Sequence, residues 1–154
     1  MAPNRPCLIS SWAYDRAAAA GLPGLVDKRA IEVACYLPGY TLVEKLQTIS
    51  TKFRKHAADS SMPQNFLRHY YDVYCLLGDP EVQAFIGSTD YIAHKNTWFA
   101  DNTNIAENPA FRLSDADTRA LFERAYRSTR ALYYRGQPEF GELMQRIGDH
   151  AGRL

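Results

Sequence analysis

Apolar positions recur with a period near 3.6 along most of this chain, and with a period of two in only one good stretch. That stretch is residues 31–37 (IEVACYL), where Ile31, Val33, Cys35 and Leu37 fall on one face and predict a strand ending at Pro38-Gly39. One strand makes no sheet. Its partner either lies elsewhere in the chain without an obvious signal or belongs to a part of the protein that is absent. Upstream, Ser10 is expected to cap a short helix running through Ala20 and ended by Gly21.

The rest reads as helix. Thr41-Leu42-Val43-Glu44 has the spacing of a capping box, in which the first and last side chains satisfy each other's free backbone N–H groups. The helix it opens should reach about His56 and bury Leu42, Leu46, Ile49 and Phe53. A polar loop ending in Met62-Pro63 leads to a helix over 64–77, stopped by Gly78. Asp79-Pro80 is a cap followed by a first-turn proline, and it starts a short helix ending at Gly87. Ser88 caps another through about Ala100, and 101–113 is a polar loop. Ser114 then caps a helix over 115–135, closed by Gly136, with Leu121, Phe122, Ala125, Thr129, Leu132 and Tyr133 as its apolar side. Pro138 opens a last helix with Phe140, Leu143, Met144 and Ile147 apolar. The predicted fold class is mainly α with an α+β remnant, one or two strands lying near the start. It is expected as one domain over 1–154, made of a helix-and-strand portion at 1–40 and a helical lobe at 41–154.

Composition narrows the function classes. The 154 residues, 46% of them apolar, suffice for a single core. No apolar run approaches the roughly 20 residues that span a bilayer, and the start lacks a secretory signal, so a cytoplasmic protein without a membrane partner is expected. Cys7, Cys35 and Cys75 show no C-x-x-C spacing and read as reduced, mostly buried thiols. His56, His69, His94 and His150 lack zinc-ligand spacing, and no G-x-x-x-x-G-K-[ST] phosphate loop occurs. Net charge is +1 but uneven: +4 over 1–58, −6 over 59–117 and +3 over 118–154, counting Lys and Arg against Asp and Glu. Basic ends around an acidic middle fit an anionic partner, or charged surfaces that meet in the fold.

The helix at 64–77 holds the first candidate chemistry. At about 100° per residue, its apolar side chains cover most of the circumference and leave one polar stripe of Asn65, Arg68, His69 and Asp72. Such a helix is expected to be buried, with these four groups enclosed or at the floor of a cleft. Arg68 and Asp72, at i and i+4, are spaced to neutralise each other. Lys45 lies at the edge of the apolar face of the helix opened at Thr41, on the side of Lys52 and His56. It is either a lysine whose stem covers the core rim or part of a site.

Three segments taken together, T-L-V-E-K-L at 41–46, R-H-Y-Y-D-V-Y at 68–74 and A-H-K-N-T-W-F-A at 93–100, resemble the C-terminal half of the AbiEii/AbiGii toxin family. F-R-L at 111–113 and the last two helices fit the same pattern, so the resemblance spans about residues 10–150. It implies the helical C-terminal lobe of a nucleotidyltransferase, with the strand portion extending that enzyme's sheet. Lys45 matches the lysine of the family's E-K motif, and Asp72 matches the aspartate of its downstream helical motif; both are implicated in nucleotidyl transfer. Arg68 and His69 neighbour Asp72 and, with Lys52, would bind substrate. The implied partners are an NTP, RNA such as tRNA, an antitoxin protein, and a second copy or a missing N-terminal lobe. A lysine holds triphosphate oxygens as a compact charge, and an aspartate can orient that lysine or take part in proton transfer.

The implied cofactor is Mg²⁺, which in this superfamily is held by paired carboxylates after a Gly-Ser turn. Gly87-Ser88-Thr89-Asp90 has the opening of that turn, but the segment beyond it reads as helix, the next acid is Asp101-Asn102-Thr103, and no second carboxylate falls where one is needed. A helix cap explains Ser88. No metal ligand is therefore assigned in this chain, and the expectation is an enzyme part inactive alone for want of an N-terminal metal motif. The alternative is a non-enzymatic helical module that binds RNA, an antitoxin or a catalytic lobe. The Arg119, Arg127 and Arg130 face, with Arg124 nearby, is either a grip on RNA phosphates or a solvated helix face.

Overall fold

The computed structural model describes residues 3–63, 65–99, 104–133 and 136–154. Two compact units divide the chain, Met1–Leu37 and Pro38–Leu154.

The first unit pairs β1 (Asn4–Ile9) antiparallel with β2 (Ala30–Tyr36), with α1 (Trp12–Ala19) between them. β1 is the partner strand that the sequence did not announce: its Arg5-Pro6 interrupts any alternation, and a proline is tolerated in such an edge strand. The register sets Arg5 opposite Cys35 and Cys7 opposite Val33. A bulge follows, since Cys7 to Ile9 spans two steps while Val33 to Ala30 spans three, and Glu32 takes the positive φ of 55° that accommodates the extra residue. The bulge breaks the period-two pattern, so Ile31 and Val33 do not line one buried face; Ile31 is 73% exposed. Ser11, not Ser10, caps α1 by accepting from the Tyr14 N–H at 3.1 Å.

The second unit is helical. α2 (Pro38–Asp59) begins three residues before the expected capping box, because Pro38 serves as a first-turn proline rather than as a strand terminator. Thr41 and Glu44 thus lie inside the helix. Leu42, Leu46 and Ile49 are fully buried, as the periodicity requires. Gly39 permits a close approach: a Cβ there would sit 2.4 Å from Cδ1 of Phe85. Gly39→Ala is expected to destabilise the protein by about 1–3 kcal/mol, the range for overpacking a filled site. Urea unfolding checks this, and an unchanged midpoint would mean that Phe85 yields freely.

α3 (Arg68–Leu77) starts later than expected, after a turn at 65–67 in which Asn65 has φ 56°. It is not enclosed all round. Tyr70, Val73 and Leu77 are buried, Tyr71, Asp72 and Tyr74 are half-buried, and Arg68 and Cys75 are exposed. The polar stripe therefore meets solvent rather than a closed interior, with one aromatic flank covered only in part. Asp79 caps α4 (Pro80–Phe85) and Ser88 caps α5 (Thr89–Trp98), both as read from sequence. The expected continuation of α5 to Ala100 lies outside the described residues. Asn108 caps the short α6 (Pro109–Arg112).

The helix expected over 115–135 is shorter. α7 (Ala116–Arg127) is capped by Asp115 rather than Ser114, and a 3₁₀ turn follows at Arg130–Leu132. Ser128 and Thr129 divert backbone acceptors, their hydroxyls donating to Ala125 O and Tyr126 O at 2.7 Å each. Gln137 Nε2 also donates to Tyr126 O at 2.8 Å. Residues 134–135 of that expected helix lie outside the described residues. The buried stripe is Phe122 and Tyr126, while Leu121 is 37% and Leu132 58% exposed. α8 (Phe140–Ala151) buries Phe140, Leu143, Met144 and Ile147 as expected. Rings of Phe66, Tyr70, Phe122, Tyr126 and Phe140, with neighbouring centroids 5.3–6.4 Å apart, form the centre of the core. Tyr70 satisfies its buried hydroxyl on Ala110 O at 2.7 Å.

Candidate functional site

α2 and α3 lie side by side, and the polar edges of both meet above the core. Lys45 Nζ on α2 donates to Asp72 Oδ2 on α3 at 2.7 Å. The intrahelical pair of Arg68 with Asp72, which sequence spacing permits, does not form; the aspartate is taken by the lysine across the helix interface. A backbone reason is that a pair with its base N-terminal opposes the helix dipole, whereas a lysine from a second helix carries no such penalty. The side chains of Lys45 and Asp72 stay 30% and 35% exposed, so the pair is open to an approaching ligand.

His69 sits one turn before Asp72, with Nδ1 3.8 Å from Asp72 Oδ2, too long for a hydrogen bond. This Nδ1 is buried and has no hydrogen-bond partner among the described residues. Burial, then the charges of Lys45 and Lys52, pull His69 down from its usual 6.5 to about 4, while Asp72 opposes them. The imidazole is thus neutral at physiological pH. Lys52 lies seven residues beyond Lys45 on the same helix face, and Arg68 adds a further positive charge near the ring. The structure brings together Lys45, Asp72 and His69, with Lys52 and Arg68 around them at longer range.

The histidine shift has a consequence for stability. A depressed pKa in the folded state means that the unfolded chain binds the proton first as pH falls. Stability should therefore decline between pH 6.5 and about 4 and level off below. In His69→Gln this part of the decline should be absent, as urea unfolding at pH 7 and pH 5 would report. Equal pH sensitivity in both proteins would mean that His69 is not held neutral.

Two neighbours of this site make contacts that the sequence does not announce. Glu44 Oε1 lies 3.5 Å from His94 Nε2, tying α2 to α5 where a helix-capping role had been expected for Glu44. Tyr133, beyond α7, lies within electrostatic reach of Arg68 and Asp72 and packs edge-on against Tyr71 with centroids 4.5 Å apart. Both contacts join residues distant in the chain, which spacing along one helix does not reveal.

The Gly-Ser opening at 87–88 is a helix start: Ser88 Oγ accepts from the Tyr91 N–H at 3.1 Å, and Asp90 lies in the first turn of α5. Asp101-Asn102-Thr103 lies outside the described residues. Among the described residues no cluster of three or more His, Cys, Asp or Glu could hold a metal ion. Asp72 Oδ2 is engaged by Lys45, so the described residues offer no carboxylate pair for a divalent metal. The arginine face of α7 is partly spent on local pairing, with Arg127 2.6 Å from Glu123 and 3.8 Å from Glu139. Arg130 leaves that face in the 3₁₀ turn.

Compared with known protein families, residues 12–146 match the one described as Nucleotidyl transferase AbiEii toxin, Type IV TA system. The chain belongs to the AbiEii family. No curated protein and no solved structure matches it. The AbiEii match reaches into both units and runs through Lys45, Lys52, Arg68, His69 and Asp72. It identifies the chain as a member of a nucleotidyltransferase toxin family of type IV toxin–antitoxin systems, whose chemistry generally uses a divalent metal. Among the described residues no helix is long and apolar enough to cross a membrane.

Proposed function

We propose that this chain is the C-terminal part of a toxin that transfers nucleotides from an NTP to RNA, such as tRNA, and that it is inactive by itself. The observation that carries the reading is the 2.7 Å ion pair between Lys45 and Asp72, joining the two helices that bear the family-like segments. In the reaction a hydroxyl oxygen of the RNA attacks the α-phosphorus, the bond from that phosphorus to the bridging oxygen breaks, and pyrophosphate leaves. Lys45 holds triphosphate oxygens, and its charge offsets the negative charge that builds on them. Asp72 orients the ammonium and accepts the proton of the attacking hydroxyl. Arg68 and Lys52 draw the polyanion toward the pair, and neutral His69 contacts the substrate without adding charge.

Mg²⁺ is the metal we assign to the complete enzyme, where carboxylates from outside this chain would hold it and it would offset charge on the phosphates. The setting is the cytoplasm, where NTPs and tRNA meet, and an antitoxin is the protein partner that would restrain the activity. A second reading is a non-enzymatic helical module that binds RNA, an antitoxin or a catalytic lobe. It is favoured by the lack, among the described residues, of a group that could hold a metal.

Titration calorimetry of the purified chain with each NTP, with and without Mg²⁺, tests the proposal beside an Asp72→Asn control. Weak, metal-independent NTP binding that is lost in the control supports a triphosphate site awaiting its metal ligands. Tight, metal-dependent binding would overturn the claim that the chain is incomplete as a catalyst. Binding of RNA but of no NTP would favour the module.

A further inference from the structure

The three cysteines read from sequence as isolated, mostly buried thiols. None of them is fully buried: Cys7 and Cys35 are half-buried and Cys75 is exposed. Two of the three are also not isolated. Arg5 stands opposite Cys35 and Cys7 opposite Val33, so Cys7 and Cys35 are diagonal neighbours. Residues two apart along a strand share a face, which places both thiols on one side of the ribbon with Arg5. The two thiols lie within electrostatic reach of each other.

We propose that Cys7 and Cys35 are an oxidation site, a dithiol that takes hydrogen peroxide as its substrate and closes to a disulfide across the β1–β2 ribbon. This inference is independent of the nucleotidyl-transfer reading.

Diagonal Cβ atoms in an antiparallel pair lie within about 7–8 Å, and the strong twist of a two-stranded ribbon shortens one of the two diagonals. A disulfide needs Cβ atoms about 3.5–4.5 Å apart, so closing the bond requires the ribbon to draw this diagonal together. Half-burial keeps large reagents off while admitting a peroxide. Burial and the Cys7 sulfur beside it push the Cys35 thiol up, and Arg5 opposes them. We assign Cys7 as the attacking sulfur and Cys35, whose thiol is pushed up, as the resolving one. Arg5 shares the ribbon face with both thiols, and partial exposure leaves them open to a small reagent.

The step balances. The Cys7 thiolate attacks one peroxide oxygen, the O–O bond breaks, and the departing hydroxide takes up a proton to leave as water. Cys7 is then a sulfenic acid. Cys35 sulfur attacks it, the S–O bond breaks, and the oxygen leaves as a second water with the Cys35 proton. The two sulfurs lose two electrons between them, and the peroxide is reduced to two waters. The product closes the loop that contains α1 and pins the bulged ribbon in its register.

Native mass spectrometry and alkylation of the full chain after brief exposure to hydrogen peroxide test this. The expected result is a mass loss of about 2 Da, the signature of a disulfide, reversed by a dithiol reductant. Alkylatable thiols should fall from the three present to the single Cys75, and digestion should yield Cys7 and Cys35 peptides in one linked species. Cys75→Ser should lose the same mass as the unaltered chain, and Cys35→Ser should not. Three thiols persisting in the treated chain, or linked peptides that join Cys75 to either strand or two chains to each other, would overturn the proposal.

Discussion

In an enzyme reconstituted with its metal-binding segment, Asp72→Asn is expected to lower nucleotidyl transfer by about 100- to 1,000-fold, the loss typical when a group serving the transition state is removed. Lys45→Ala should fall in the same range. The argument rests on the two sizes of effect involved. As a surface ion pair, with both side chains about a third exposed, Lys45 and Asp72 contribute at most about 1 kcal/mol to folding. Their removal should therefore leave the unfolding midpoint almost unchanged while transfer collapses. Transfer of labelled NTP onto tRNA, beside urea unfolding of each variant, separates the two. Activity within tenfold of the unaltered enzyme would refute the role assigned to that residue, and a large loss of stability would make the pair structural.

The second large effect is on the core. Phe122→Ala should cost about 3–5 kcal/mol, because it removes the ring that meets Phe53, His56, Phe66 and Tyr70 at centroid distances of 5.2–6.4 Å. That is a large share of the roughly 5–15 kcal/mol that holds a domain of this size together. Leu121→Ala, one residue away, should cost less than about 1 kcal/mol, since that side chain is 37% exposed and loses little burial. Equilibrium unfolding of both variants checks the contrast. Equal losses would mean that α7 is rotated from the phase described here.

That contrast shows where a single helix pattern stops being informative. Leu121 and Phe122 both fit the apolar side of the helix expected over 115–135, and only the neighbouring helices choose between them. Tyr126, absent from that apolar side, is packed in the core against Tyr133 and Phe140. The early end of α7 was equally hidden: Ser128 and Thr129 are ordinary in a helix pattern, and Gln137, arriving from a later segment, donates to the same Tyr126 carbonyl that Thr129 takes. The start of α2 was missed for the opposite reason, a proline that can end one element or begin the next.

Local chemistry alone was enough for the helices α2, α4, α5 and α8, for the caps at Asp79 and Ser88, and for the strand β2, because periodicity and capping act within a few residues. The motifs around Lys45 and Asp72 were likewise visible in the chain and carried the family resemblance. Tertiary structure decided the rest. It took Asp72 from the nearby Arg68 and gave it to Lys45, 27 residues away, and it placed His69 under charges from another helix. It found β1 as the partner of β2 and set Cys7 diagonal to Cys35 on one face of the ribbon. Such contacts arise from packing whole elements against one another, and no spacing along a single element encodes them.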